Sequence, residues 1–116
     1  MKIIVYGTLM KGFYNYDRWM GNAECINKIQ LHGFKLFING YPAIIQSNSQ
    51  DDIVHAELYD ITKDRFEAIS AMEIGAGYHI EMYKINGEEI PLFAMNKSQV
   101  ENGRWKLVEN GVFSKT

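Results

Sequence analysis

A chain of 116 residues, 47% hydrophobic and 22% charged, can close one core but not two, so a single domain over 1–116 is expected. Its formal net charge of -2 offers no basic surface to a phosphate backbone or an anionic lipid, which argues against nucleic-acid and membrane partners. Apolar runs such as Ile3-Ile4-Val5-Tyr6 fall far below the roughly 20 residues that cross a bilayer, and the N-terminus carries no signal-peptide apolar region, so the expected location is the cytoplasm.

Lys2 to Tyr6 is a β-branched apolar run ending at Gly7, the pattern of a strand buried on both faces that leads into a tight turn. Phe13 to Met20 is rich in aromatics and fits either a short helix or an irregular loop. The lone Cys25 has no partner for a disulfide or a thiolate metal site and reads as a core or half-buried thiol. Ala23 to Ile29 and Gly33 to Ile38 predict strands, Asn39-Gly40-Tyr41-Pro42 a turn, and Ala43-Ile44-Ile45 another strand. Ile53 to Ile61 alternates imperfectly as a strand with two unequal faces, Val54, Ala56, Leu58 and Asp60 on one and His55, Glu57, Tyr59 and Ile61 on the other.

Thr62 caps the best predicted helix, in which Phe66, Ile69 and Ala71 or Met72 recur at helical spacing and Glu73 falls near the C-terminal end. Gly75 and Gly77 stop it. Tyr78 to Ile85 alternates as a strand and returns through Asn86-Gly87 as Ile90 to Met95. After Lys97 the chain turns polar, with Trp105, Leu107, Val108, Val112 and Phe113 as its docking points. The predicted class is α+β, a small, mostly antiparallel or mixed sheet curled toward a barrel.

Tyr6-Gly7-Thr8-Leu9-Met10-Lys11-Gly12 places two glycines and a hydroxyl in a turn after a buried strand, where backbone N–H groups can converge on an anion such as a carboxylate. The alternative is a tight turn with no ligand. It is neither a P-loop nor a dinucleotide-binding turn. Glu73 lies in the apolar stretch Ala68-Ile69-Ser70-Ala71-Met72-Glu73-Ile74, where burial would raise its pKa toward that of a general acid/base. A solvent-facing glutamate at a helix end is the other reading. His32, His55 and His79 are dispersed, so no metal site is expected. Asp51-Asp52 and Glu88-Glu89 fall in predicted turns and read as solvated surface pairs rather than a catalytic dyad.

Tyr6-Gly7-Thr8-Leu9, Gly40-Tyr41-Pro42-Ala43, Glu57-Leu58-Tyr59-Asp60-Ile61, Met72-Glu73 ahead of Gly77-Tyr78, and Gly103-Arg104-Trp105 together form a pattern that resembles the γ-glutamylcyclotransferase-like family over most of the chain. The resemblance implies a compact β-barrel with flanking short helices, a small-molecule substrate and no cofactor. It implies intramolecular aminolysis: the α-amine of a γ-glutamyl amine or peptide attacks its own γ-carbonyl and releases 5-oxoproline. Glu73 would be the acid/base, and the Tyr6, Gly7, Thr8 and Leu9 loop would hold the substrate. Tyr41 and Tyr78 would wall the pocket; for these two and Tyr6, packing is the competing role.

The chain departs from the family pattern at Ile69-Ser70, where members carry Leu-Asp, at Ala56 in place of glycine, at Ile80 in place of arginine, and at Arg104 in place of aspartate. These departures bear on substrate more than on fold. They motivate a second reading, a non-catalytic binding module for a small carboxylate-bearing metabolite, and a third in which the motifs are purely architectural. The leaving amine and the oligomeric state stay open.

Overall fold

Ile3, Ile4, Val5 and Tyr6 are all buried, so the first strand, β1 (Lys2–Val5), runs through the centre of the molecule. The computed structural model describes residues 1–114. Along them follow α1 (Tyr16–Trp19), β2 (Cys25–His32), β3 (Phe34–Ile38), β4 (Pro42–Gln46), β5 (Ile53–Asp60), α2 (Lys63–Gly75), β6 (His79–Ile85), β7 (Glu88–Ala94), α3 (Lys97–Val100) and β8 (Lys106–Val108). The aromatic-rich segment therefore contains a single helical turn, α1.

The paired strands are antiparallel and form three sheets, ordered β1-β5-β2, β4-β3-β8 and β6-β7. No continuous ladder closes them into a barrel, but they curl toward one. Gly33, with φ 85°, turns the chain from β2 into β3, a conformation glycine adopts without a Cβ penalty. On the other side β7 runs alongside β1 in the same direction: Lys2 Nζ meets Glu88 at 2.9 Å, and the Tyr6 hydroxyl donates to the Phe93 carbonyl at 2.7 Å. The Met95 N–H then donates to the Ile44 carbonyl at 2.9 Å, joining β7 to β4.

Strand alternation divides the apolar side chains between two cores. Ile4 and Tyr6 join Leu36, Ile44, Leu58 and Leu92 in one cluster, whereas Ile3 and Val5 join Ile45, Tyr59, Ile69 and Phe93 in the other. The first fills the curl of the strands, and the second lies between the strands and α2. His55 and Asp60 of β5 are exposed, but Tyr59 and the following Ile61 are as buried as Val54, Ala56 and Leu58, so the His55 side of the strand meets solvent only in part.

Several local expectations are corrected. Cys25 is exposed, because β2 is an edge strand whose register slips between Cys25 and Asn27. The alternation of β6 leaves its inner side open, and in the structure the apolar residues Ile80 and Met82 face outward. The half-buried side carries Glu81, which binds both His79 Nε2 (2.7 Å) and Gln46 Nε2 (2.6 Å). Glu88 and Glu89 start β7 and are exposed rather than turn residues. In the tail, Leu107 and Val112 are exposed, and buried Val100 joins half-buried Trp105, Val108 and Phe113 as a docking point.

That tail crosses β5 at Gly111, whose carbonyl accepts the His55 N–H at 2.8 Å. Gly111 has φ 67°, and a Cβ there would lie 2.1 Å from the Ile53 carbonyl oxygen. Gly111→Ala is expected to cost about 2–4 kcal/mol, combining left-handed strain with a backbone clash. Gly40→Ala, with φ 74° and open space around it, isolates the strain alone at about 1 kcal/mol. Urea denaturation of both variants checks this, and equal losses would exclude the clash.

Candidate active site

The helix α2 sets the position of its carboxylate through both of its ends. The Thr62 side chain accepts the Arg65 N–H at 3.2 Å, capping the first turn. From there Phe66, Ile69, Ser70 and Glu73 recur at the three- and four-residue spacing of one helix face. Ile69 is buried, Phe66 and Glu73 are half-buried, and the Ser70 hydroxyl oxygen is buried with no hydrogen-bond partner among the described residues. Glu73 is therefore carried inward by the stripe that packs the helix down.

The C-terminal end closes as a Schellman motif. Gly77 has φ 101°, its N–H donates to the Ile74 carbonyl at 3.1 Å, and the Tyr78 N–H donates to the Glu73 carbonyl at 3.0 Å. This turn folds Tyr78 back beside Glu73. The Tyr78 hydroxyl then donates to the Pro42 carbonyl, tying the helix end to the start of β4.

Opposite stands the turn that follows β1. The Met10 N–H donates to the Gly7 carbonyl (3.0 Å), and the Lys11 N–H donates to the Tyr59 hydroxyl (2.9 Å). Asn15 clamps Thr8 twice: its backbone N–H donates to the Thr8 carbonyl at 3.1 Å and its side-chain amide to the Thr8 hydroxyl at 2.9 Å. The N–H groups of Thr8 and Leu9 find no acceptor among the described residues. Gly7 sits so close to β4 that a Cβ would lie 2.4 Å from Pro42 Cγ.

Between these features lies a cavity of about 450 Å³. Tyr6, Gly7, Thr8, Leu9, Tyr41, Glu73 and Tyr78 all line it, together with Tyr14, Asn15, Pro42, Met72, Ala76 and Phe93. Sequence reasoning missed this second set; Asn15, eight residues beyond Gly7, could have been found as a polar residue able to brace the turn. Of the departures from the family pattern, Ala56, Ser70, Ile80 and Arg104 do not line the cavity.

Burial pushes the Glu73 carboxyl up to about 7. No group among the described residues hydrogen-bonds or ion-pairs with its side chain. Burial, followed by Tyr78 and the Glu73 carboxylate, holds the Tyr6 phenol well above its ordinary value; burial and Glu73 do the same for Tyr78. Both tyrosines are thus neutral donors at working pH. Among the described residues no group of three His, Cys, Asp or Glu could hold a metal, and no helix is long and apolar enough to cross a membrane.

Residues 3–114 match the family described as "Gamma-glutamyl cyclotransferase, AIG2-like". The chain belongs to this family. Over 80 residues, 69% of this chain, it is 29% identical to the Pyrococcus horikoshii protein named "Putative gamma-glutamylcyclotransferase PH0828". It is 26% identical over 78 residues to the Methanocaldococcus jannaschii protein named "Putative gamma-glutamylcyclotransferase MJ1514". The matched part spans 66% of the length of the first relative and 64% of the second, just under two thirds. The crystal structure of PH0828 superposes with a TM-score of 0.79 at 24% identity, covering 97% of this chain and 88% of that one, which shows a shared fold. The same fold occupies 19% of the Kluyveromyces lactis allophanate hydrolase chain, with a TM-score of 0.75 and 18% identity. This chain thus holds a cavity with one carboxyl beside the turn after β1, in a fold that also occurs within the longer Kluyveromyces lactis chain.

Proposed function

We propose that the cavity converts a γ-glutamyl amine or γ-glutamyl peptide to 5-oxoproline, with Glu73 as general acid/base. The observation that carries this reading is an unpaired carboxyl, poised near pH 7 by burial, in the same hollow as a turn with free N–H groups.

The free α-amine attacks the γ-carbonyl carbon of its own molecule, so a C–N bond closes the five-membered ring while the amide C–N bond to the leaving amine breaks. Glu73, as carboxylate, takes one proton from the attacking nitrogen and returns it to the departing one. Atoms balance without water, oxidant or co-reactant. Because nucleophile and electrophile share one molecule, the protein chiefly folds the substrate and stabilises charge on the γ-oxygen. The N–H groups around Gly7, Thr8 and Leu9 are the donors for the substrate's anionic oxygens, and neutral Tyr6 and Tyr78 flank Glu73. Ser70 and Ile80, which motivated a binding-only module, lie outside the cavity wall, and this favours catalysis.

Incubation of the purified protein with a panel of γ-glutamyl amides and dipeptides is expected to release 5-oxoproline from at least one compound. Thermal stabilisation by a panel member with no product formed would instead establish the binding module.

A further inference from the structure

We infer, resting on the cyclisation reading, that the departing amine is uncharged and apolar or aromatic, and that Tyr14 and Tyr41 form its seat.

The cavity has a direction. Tyr6 and Tyr78, beside Glu73, are 6% and 8% exposed, whereas Tyr41 is 41% and Tyr14 76% exposed, so the latter pair forms the mouth. The γ-carbonyl must reach Glu73 and the amino-acid end must reach the turn, leaving the mouth for the departing group. Tyr41 is held there edge-on by Trp105, with ring centroids 5.2 Å apart, and by Tyr78 at 6.5 Å. A braced aromatic loses little freedom when it receives a ligand.

Charge then selects the class of amine. The lining contains no Lys, Arg or His, and its only carboxylate is Glu73. One anion, the substrate's own α-carboxylate, can use the N–H groups of the turn. A second carboxylate, carried by an amino-acid leaving group, would enter without a cation or a free donor and would lose hydration uncompensated. A cationic leaving group near Glu73 would hold that carboxyl ionised, opposing the protonated state from which it returns its proton. An uncharged ring or alkyl chain between Tyr14 and Tyr41 incurs neither cost.

The test compares γ-glutamylbenzylamide, γ-glutamylbutylamide, γ-glutamylalanine and the mono-γ-glutamyl amide of 1,4-diaminobutane. With the wild type, kcat/KM for 5-oxoproline release is expected to be about tenfold or more higher for the benzyl compound than for the alanine and diaminobutane compounds, with butyl between them. Tyr41→Ala is expected to collapse the benzyl-to-alanine ratio by about tenfold, while Tyr41→Phe, which keeps the ring, preserves it. The same compounds are titrated calorimetrically into Glu73→Gln, which separates binding from chemistry. Absence of product from every compound together with benzyl-selective binding would overturn the cyclisation reading and keep the apolar seat. Product formation with equal or reversed preference would overturn the seat and keep cyclisation. Neither product nor selective binding would overturn both.

Discussion

Glu73→Gln is expected to lower kcat for 5-oxoproline release by about 10² to 10⁴, the usual contribution of a positioned acid/base. The shape of the amide side chain is nearly that of the carboxyl, so KM should move little. In the wild type, kcat/KM should rise with pH through about 7, because the carboxylate is the form that accepts the amine proton. The same carboxyl has a stability signature of opposite sign. Its folded-state pKa is raised from 4.5 to about 7, so the folded protein binds the extra proton in this window and loses stability as pH rises through it. At 1.36 kcal/mol per unit the loss is at most about 3 kcal/mol, and partial exposure reduces it to an order of 2. Glu73→Gln has no charge to bury. It should therefore melt above the wild type at pH 8 and level with it below about pH 4.5. A variant that loses both activity and stability at pH 8 would mark Glu73 as structural.

Gly7→Ala is expected to cost about 1–3 kcal/mol of stability and about 100-fold in kcat/KM. The added Cβ would stand 2.4 Å from Pro42 Cγ, so either the turn or the first residue of β4 must shift. Pro42 also receives the Tyr78 hydroxyl, and Tyr78 is pinned to the Glu73 carbonyl. One methyl group thus disturbs both sides of the cavity. Gly75→Ala is the control: it lies in α2 with nothing within 4 Å of the added carbon and should be neutral or slightly stabilising. Urea denaturation and steady-state kinetics on the two variants decide the matter, and a Gly7→Ala protein of full activity would remove the turn from the site.

Different parts of the molecule were legible in the sequence to different degrees. The Thr62 cap, the Gly77 stop and the Asn86-Gly87 hairpin use signals confined to a few adjacent residues, and each appears where the chain predicts it. The strand β1 was legible because a run apolar on both faces has no other stable place than the centre. The outward turn of Ile80 and Met82 was not, since the inner side of β6 is the one on which Tyr83 and Ile85 pack against residues of other strands, Phe34 among them. Exposed Cys25 was misread for a similar reason: nothing local says that β2 ends the sheet.

The candidate site divides in the same way. By itself the sequence determined the tight turn after β1, the helix ending near Glu73 and the family pattern linking them, because backbone geometry at glycines and caps is set by near neighbours. Only the tertiary structure decided that Glu73 rides the packed stripe of α2 into a cavity, that Asn15 braces Thr8, and that Tyr14 and Tyr41 stand at the mouth. Desolvation of a carboxyl comes from atoms distant in the chain, so no window of residues around Glu73 could have set its proton affinity.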